Sequence, residues 1–413
     1  MKQTLPRPTL TNLVRIVRAA AVASLMTIPS IAAEPLKVFI LAGQSNMVGH
    51  ARAHTIATLY ASDQPRDNEL LQMVIEPDSN LSKDILEEQL ARGRELDQLT
   101  GGISNSKIKA MEDGPEKTAL EAKAKDLKDA HEAYKKSVAS ACVISDRVYI
   151  NSIADGNKRA GKLEIGYGGA RDKIGPEYAF GLSIANKVDG PILLIKTSWG
   201  GKSLNYNFRP PSVGAYTLNE KEQASDKVDE IKENAGLNFR MMNEAIRKVL
   251  DNLAENHPAY DADAGYKISG FVWFQGFNDQ FSPEFRDNYK DNMIAFIKDV
   301  RKEYKTPKMP FVIGVLGTGV TAEKVAENQV SVGQREAAKA MGAENYVASV
   351  ESYTEYSQFS NNIFQKGWPE HYHEWDTVGS DRPYHYLGSG AFFVRLGDAF
   401  ANSMAELIVN QGK

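Results

Sequence analysis

The chain has 413 residues, a formal net charge of −4, 42% hydrophobic and 25% charged residues, a balance that suits one large globular α/β domain or two ordinary ones. That acidic balance, with no basic stripe along the chain, excludes a nucleic-acid binder. A single cysteine, Cys142, excludes an internal disulfide, and its setting ASACVISD reads as packing rather than as a nucleophile.

The first 33 residues stand apart. Lys2, Arg7, Arg15 and Arg18 precede the apolar run AAAVASLMTIPSIAA, and small residues follow at Ser30, Ala32 and Ala33. This is the pattern of a secretory signal, and the run is short of the ~20 residues that span a bilayer. Cleavage after Ala32 or Ala33 is expected. It takes the net charge from −4 to −8, leaves no stable membrane span, and sends residues 34–413 to the periplasm or outside the cell.

The mature chain begins with the apolar run LKVFILA (36–42), read as a buried strand. From about Ala51 to Val143 it becomes charged and helical. Leu120, Ala124, Leu127, His131, Tyr134 and Val138 recur at alternating spacings of four and three, the seam of an amphipathic helix. KDILEEQLARGRELDQL (83–99) supplies an antiparallel partner across the loop TGGISNSK. Residues 51–143 therefore read as a helical hairpin insertion, either a solvated hairpin packed on its own seam or a lid or docking arm. Beyond it, helical patterns (EYAFGLSIANKV, FRMMNEAIRKVLDNLAE, YKDNMIAFIKDVRKEY, VSVGQREAAKAM and a last one, GAFFVRLGDAFANSMAELIV) alternate with apolar runs. These runs are PILLIKTS (191–198), GFVWFQG (270–276), PFVIGVLG (310–317) and NYVASVES (345–352). Near-continuous apolar strands separated by helices predict an α/β fold: a three-layer, doubly wound, flavodoxin-like domain on a parallel five-stranded sheet.

In such a sheet ligands bind at the carboxyl ends of the strands. Three polar, glycine-containing clusters fall there: GQSNM (43–47), TSWGGKS (197–203) and FQGFNDQ (274–280). Together they hold the parts of an acyl-transfer site. Ser45 is the candidate nucleophile, and a serine hydroxyl needs a base to take its proton. The N–H of Ser45, an N–H of Gly200 or Gly201, and the side-chain amide of Asn278 are the candidate oxyanion donors. Each cluster alone reads equally as a turn; three at successive strand ends do not. No complete G-x-S-x-G motif is present, because Met47 stands two residues after Ser45.

Of seven histidines, His385 in SDRPYHYLGSG, just before the last helix, is placed to lie over the sheet edge as base. His50 with His54, and His371 with His373, have the look of metal-ligand pairs, but neither carries a complete ligand set. His257 and His131 read as incidental.

GQSNM, WGGKS, WFQGFND and YHYLGSG together resemble the SGNH hydrolase superfamily, and more narrowly its sialate O-acetylesterase-like branch, which includes the acetylxylan esterases of carbohydrate esterase family 6. IGPEYAFG (174–181) and GQREAA (333–338) resemble connecting segments of that branch, so the resemblance spans about residues 36–50 and 164–408 and omits the helical insertion. It places the nucleophile at Ser45, the glycine donor at Gly200 or Gly201, the asparagine donor at Asn278 and the base at His385. It implies a metal-independent, cofactor-free esterase that removes O-acetyl groups from sugars. The family's acid usually stands three residues before the histidine, where this chain has Arg382. Asp381, four before, serves if the loop bulges by one residue. Otherwise Asp376, Glu374 or another carboxylate takes the role, or the site is a Ser–His dyad.

The expected partner is an O-acetylated oligo- or polysaccharide, with Gln44, Trp199, Gln275 and Trp375 as substrate-binding residues. Trp273 and Phe274 on the third strand compete between core and site. Two alternatives stand beside the esterase: a catalytically silent carbohydrate-binding or scaffold protein, and an esterase of other acyl specificity.

Overall fold

The computed structural model describes residues 34–411; the expected signal segment lies outside the described residues. Nine strands occur among them: β1 Leu36–Gly43, β2 Ala51–Arg52, β3 Val148–Ala154, β4 Asn157–Lys162, β5 Lys173–Ile174, β6 Ile192–Ser198, β7 Tyr266–Phe274, β8 Phe311–Val315 and β9 Val347–Glu351. Seven form one sheet in the order β4-β3-β6-β1-β7-β8-β9, and β2 pairs with β5 in a two-stranded sheet. Each of the five strands read from the sequence is present, as the parallel run β6-β1-β7-β8-β9, with the first strand between the second and third. That is the flavodoxin-like order, with its switch point beside β1.

The sheet is wider than five strands. β3 joins β6 in parallel, and β4 returns antiparallel at the edge. β3 alternates buried and half-buried residues, and β4 (NKRAGK) has no buried residue. Neither makes a continuous apolar run, and the lysines and arginine of β4 suit an exposed edge. Asp155 and Gly156 join the two strands with φ of +49° and +82°, the conformation of a two-residue hairpin turn.

Alternate side chains of the central strands enter two cores. Phe39, Leu41, Leu194 and Phe274 pack with helices Pro176–Ala185 and Gly390–Gln411. Val38, Ile40, Leu193, Phe271 and Trp273 pack with helices Leu237–Leu250, Tyr289–Glu303 and Gln329–Met341. Three layers result, and both Trp273 and Phe274 are core residues. Cys142 is also buried; burial pushes its thiol up to about 12, which suits packing and not nucleophilic attack.

Between β2 and β3 the chain forms helices Pro65–Val74, Lys83–Thr100, Ser106–Lys109 and Pro115–Ser140. Ala124, His131, Tyr134 and Val138 of the expected seam are buried. The two long helices grip the segment that leads to His385. Asp97 accepts the backbone N–H groups of His373 and Glu374, both at 3.0 Å. His131 is not incidental: it bonds Gln89 at 2.7 Å and Asp376 at 3.0 Å, and Lys135 shares the same carboxylate. No helix among the described residues is long and apolar enough to cross a membrane.

Candidate active site

Gly43, the last residue of β1, is in register with Ser198 of β6 and Phe274 of β7. This sets the three polar clusters in one row at the carboxyl edge of the sheet. Gly43 is required by close approach, since a Cβ there would lie 2.1 Å from the Phe274 carbonyl oxygen. The chain then turns at Gln44 into a one-turn helix, Ser45–Val48. Ser45 is its first residue and is half-buried; N–H groups in a first turn have no intrahelical acceptor, so that of Ser45 is available to a developing oxyanion.

The far end of this helix is anchored from below. Lys196 of β6 is fully buried, and its ammonium donates to the Val48 and Tyr167 carbonyls (2.8 and 2.9 Å) and to Glu177 Oε2 (2.7 Å). Glu177 Oε1 accepts the Gly175 N–H at 2.9 Å. Burial draws the lysine pKa downward. The sequence reading missed this pair, although a lysine within ILLIKTS is the kind of signal that marks it.

Gln44, expected at the substrate, is buried and turns to the third cluster. Its Nε2 donates to Asn278 Oδ1 at 3.1 Å, and its Oε1 accepts the N–H groups of Gly276 and Asn278 at 3.1 and 3.4 Å. Gln275 is likewise buried: its Nε2 donates to the Lys202 carbonyl and Asp279, and its Oε1 accepts from Tyr289. Both glutamines thus spend their polar atoms inside the protein. Asp279 also accepts the N–H groups of Leu204 and Asn205, locking the loop after β6 to the loop after β7; burial pushes its carboxyl up to about 6.

The two glycines differ. The Gly200 N–H donates to Asp155 Oδ1 at 2.6 Å, so a carboxylate from the β3–β4 turn occupies it. Gly201 has φ +67°, and nothing lies within 4 Å of where its Cβ would stand. A Cβ at Gly200 would lie 3.7 Å from Ser45 Cβ, so the second cluster does reach the serine.

His385 sits in a tight turn. The N–H groups of Ser380 and Asp381 both donate to the Leu387 carbonyl (2.8 and 3.0 Å), and His385 N–H donates to Arg382 O at 2.9 Å. Tyr386 and Leu387 take φ of +52° and +62°; the buried Tyr386 ring holds them, its hydroxyl bonded to the Gly317 N–H and to Ser352. In this turn Asp381 Oδ1 lies 3.2 Å from His385 Nδ1, despite the four-residue spacing. The approach is ion-pair close but poorly aligned as a hydrogen bond. Burial alone would raise the Asp381 pKa; the His385 contact, the Arg382 N–H and His50 hold it below the usual carboxylate range. Asp376 and Glu374, the other candidate acids, are committed elsewhere, to His131 with Lys135 and to Arg94 with Lys366.

The expected histidine pairs are taken apart. His54 bonds the Asp376 carbonyl at 2.7 Å. His50 stacks on His385 with ring centroids 4.1 Å apart and planes 6° from parallel, its Nδ1 3.7 Å from Asp381 Oδ2. Burial, then its neighbours His385 and Lys173, pushes His50 down to about 4, leaving it neutral near pH 7. His50, Asp381 and His385 form the one trio among the described residues able to offer a metal three donor atoms within 4.8 Å of one another. Any ion there would compete with protons for the His50 and His385 ring nitrogens.

Asn46 Nδ2 donates to the Tyr384 carbonyl at 3.2 Å, tying the chain beside Ser45 to the chain beside His385. Among the described residues no hydrogen bond joins the Ser45 hydroxyl to His385; such bonds commonly tighten only once substrate is bound. Trp199 and Trp375 are both buried. Each shows an edge to a cleft: Trp199 to one of about 640 Å³ with Ile153, Lys158 and Arg159, Trp375 to one of about 240 Å³ with Trp368, Asp381 and Arg382.

The fold is a three-layer α/β architecture with three polar clusters at the carboxyl edge of its sheet. The chain belongs to the family described as carbohydrate esterase, sialic acid-specific acetylesterase, whose model matches residues 129–355. The matched span contains Trp199–Gly201 and Gln275–Asn278; Ser45, Asp381 and His385 lie outside it. Three solved structures show distant likeness. A protein from Arabidopsis thaliana is 15% identical with a TM-score of 0.42, covering 90% of this chain and 98% of its own. A carbohydrate acetylesterase from Xanthomonas citri is 12% identical with a TM-score of 0.38, covering 76% of this chain and 49% of its own. NanS is 10% identical with a TM-score of 0.35, covering 78% of each chain. These likenesses are too distant to carry an inference about substrate. No curated protein matches the chain.

Proposed function

We propose that the protein is an exported serine esterase that removes O-acetyl groups from carbohydrate chains. Family membership supplies carbohydrate deacetylation; the signal-like first 33 residues support export. One observation supports the mechanism: the register of Gly43 with Ser198 and Phe274 brings the strand ends that lead into Ser45, Gly201 and Asn278 to one edge of the sheet, and Asn46 ties that edge to the turn holding the Asp381–His385 pair.

In this reading His385 takes the proton of Ser45 as its Oγ attacks the acetyl carbonyl. The Ser45 N–H, Gly201 N–H and Asn278 Nδ2 receive the oxyanion. His385 then protonates the departing sugar oxygen, leaving an acetyl-serine. Water, deprotonated by His385, releases acetate. Asp381 holds the imidazole oriented and stabilises its charged form. With its N–H held by Asp155, Gly200 is displaced as donor in favour of Gly201.

The reading is tested by acetate release from acetylated carbohydrates by the wild type and by Ser45→Ala. Loss in the variant, with an unchanged circular dichroism spectrum, supports it. Equal rates in both proteins contradict it and favour a binding role.

A further inference from the structure

We propose that Phe277, Phe281 and Tyr384 form a stacking platform for the sugar residue next to the acetylated one, so that oligosaccharide chains bind and react better than free acetylated monosaccharides. The inference rests on the proposed function and names the substrate class of that site.

Phe281 is 68% exposed and Tyr384 45% exposed, although most aromatic rings of this fold are buried. They are not scattered. Phe281 contacts Phe277 (centroids 5.2 Å), Phe277 contacts Tyr384 (5.8 Å), and Tyr384 contacts His385 (4.6 Å). The ledge therefore runs without interruption from the proposed base out to solvent. It starts at both halves of the site, since Phe277 precedes Asn278 and Tyr384 precedes His385 in the chain.

The platform is held rather than collapsed inward. Gln44 Oε1 accepts the N–H groups of Gly276 and Asn278, the residues on either side of Phe277. The Arg286 guanidinium donates to the Gln280 carbonyl at 2.7 Å, and Asn328 donates to the Gln280 side chain at 3.1 Å, next to Phe281. Asn46 fixes the Tyr384 carbonyl. An exposed row of rings edged by amides suits one ligand chemistry well. A pyranose offers C–H faces to the rings while its hydroxyls stay in solvent, whereas an acyl chain on this open ledge would keep much of its apolar surface in water.

The test compares acetylated xylose with acetylated xylo-oligosaccharides of increasing length, as the ratio of kcat/KM for chain over monosaccharide. The wild-type ratio should rise with length and fall by about 2- to 10-fold in Phe281→Ala. Phe359→Ala, an exposed aromatic change elsewhere, should leave it unaltered. A ratio that ignores length, or that survives Phe281→Ala, overturns the platform. So does a Phe281-dependent preference for long-chain or aryl acyl groups, or a Phe281-dependent dimer with no effect on sugars. Binding of the same oligosaccharides to Ser45→Ala by calorimetry separates the two readings. Phe281-dependent binding without any hydrolysis by the wild type sinks the esterase and keeps the platform; hydrolysis without Phe281-dependent binding does the reverse.

Discussion

Gln44 Nε2 donates to Asn278 Oδ1 at 3.1 Å, and this one bond decides which end of the asparagine faces the site. With its oxygen held, Asn278 has only its Nδ2 to offer an oxyanion. Loss of such a donor costs roughly 10²–10³ in kcat, and Asn278→Ala should show that loss on a small acetyl ester. Gln44→Ala should cost about tenfold, because it frees the amide without removing it. The double variant should be no worse than Asn278→Ala alone, measured as a double-mutant cycle in kcat. Full additivity contradicts the coupling.

Asp155 places a carboxylate on the Gly200 N–H at 2.6 Å, beside Ser45. A negative charge near the growing oxyanion opposes it. Asp155→Ala should therefore raise kcat on a small acetyl ester by several-fold, with the gain largest at low ionic strength. A fall in kcat would mean that Asp155 holds the Gly200–Gly201 turn in its working shape.

Lys196 and Glu177 are both fully buried beneath the Ser45 helix. Lys196→Met leaves Glu177 without its partner and should destabilise by about 3–5 kcal/mol, read by urea unfolding. Adding Glu177→Leu should recover much of that stability. Activity should remain low even so, because the Val48 carbonyl has lost its donor and the helix its anchor.

The resemblance to carbohydrate esterases was legible because Ser45, Gly200, Gly201, Asn278 and His385 all stand in short motifs after apolar runs. The five central strands were legible for the same reason: a strand covered on both faces is apolar throughout. β3 and β4 were not, since one alternates and the other is polar. Side-chain direction was the harder part. Gln44 and Gln275 have a substrate-binding residue type, but a motif does not reveal that their amides turn inward. Asp381 reaches His385 through a turn stabilised by two bonds to Leu387 O and by a buried Tyr386, contacts spread over three segments of chain. His50 stacks on His385 only because the Ser45 helix and the 380–388 turn meet, which no local pattern records.

His54 is buried and its pKa is pushed down to about 4, chiefly by burial. The unfolded chain takes up this proton near pH 6.5, the folded one only near 4. The resulting stability is complete above about pH 6.5 and is lost as pH falls toward 4, at up to roughly 1.4 kcal/mol per pH unit. Asp279 acts in the opposite sense: with its pKa raised to about 6, it favours the folded state more as pH falls below that value. The comparison that isolates the histidine is therefore wild type against His54→Asn, by urea unfolding at pH 7 and pH 4.5. The variant should lose less stability on acidification; an equal loss contradicts the assignment.

The central claim is that Ser45 is the nucleophile and that His385 activates it. Labelling by a fluorophosphonate, followed by peptide mass mapping, tests this without knowledge of the sugar. The account predicts a single adduct on Ser45, absent in Ser45→Ala and formed much more slowly in His385→Ala with the fold intact. An adduct on another residue, or one that forms on Ser45 at the same rate without His385, contradicts it.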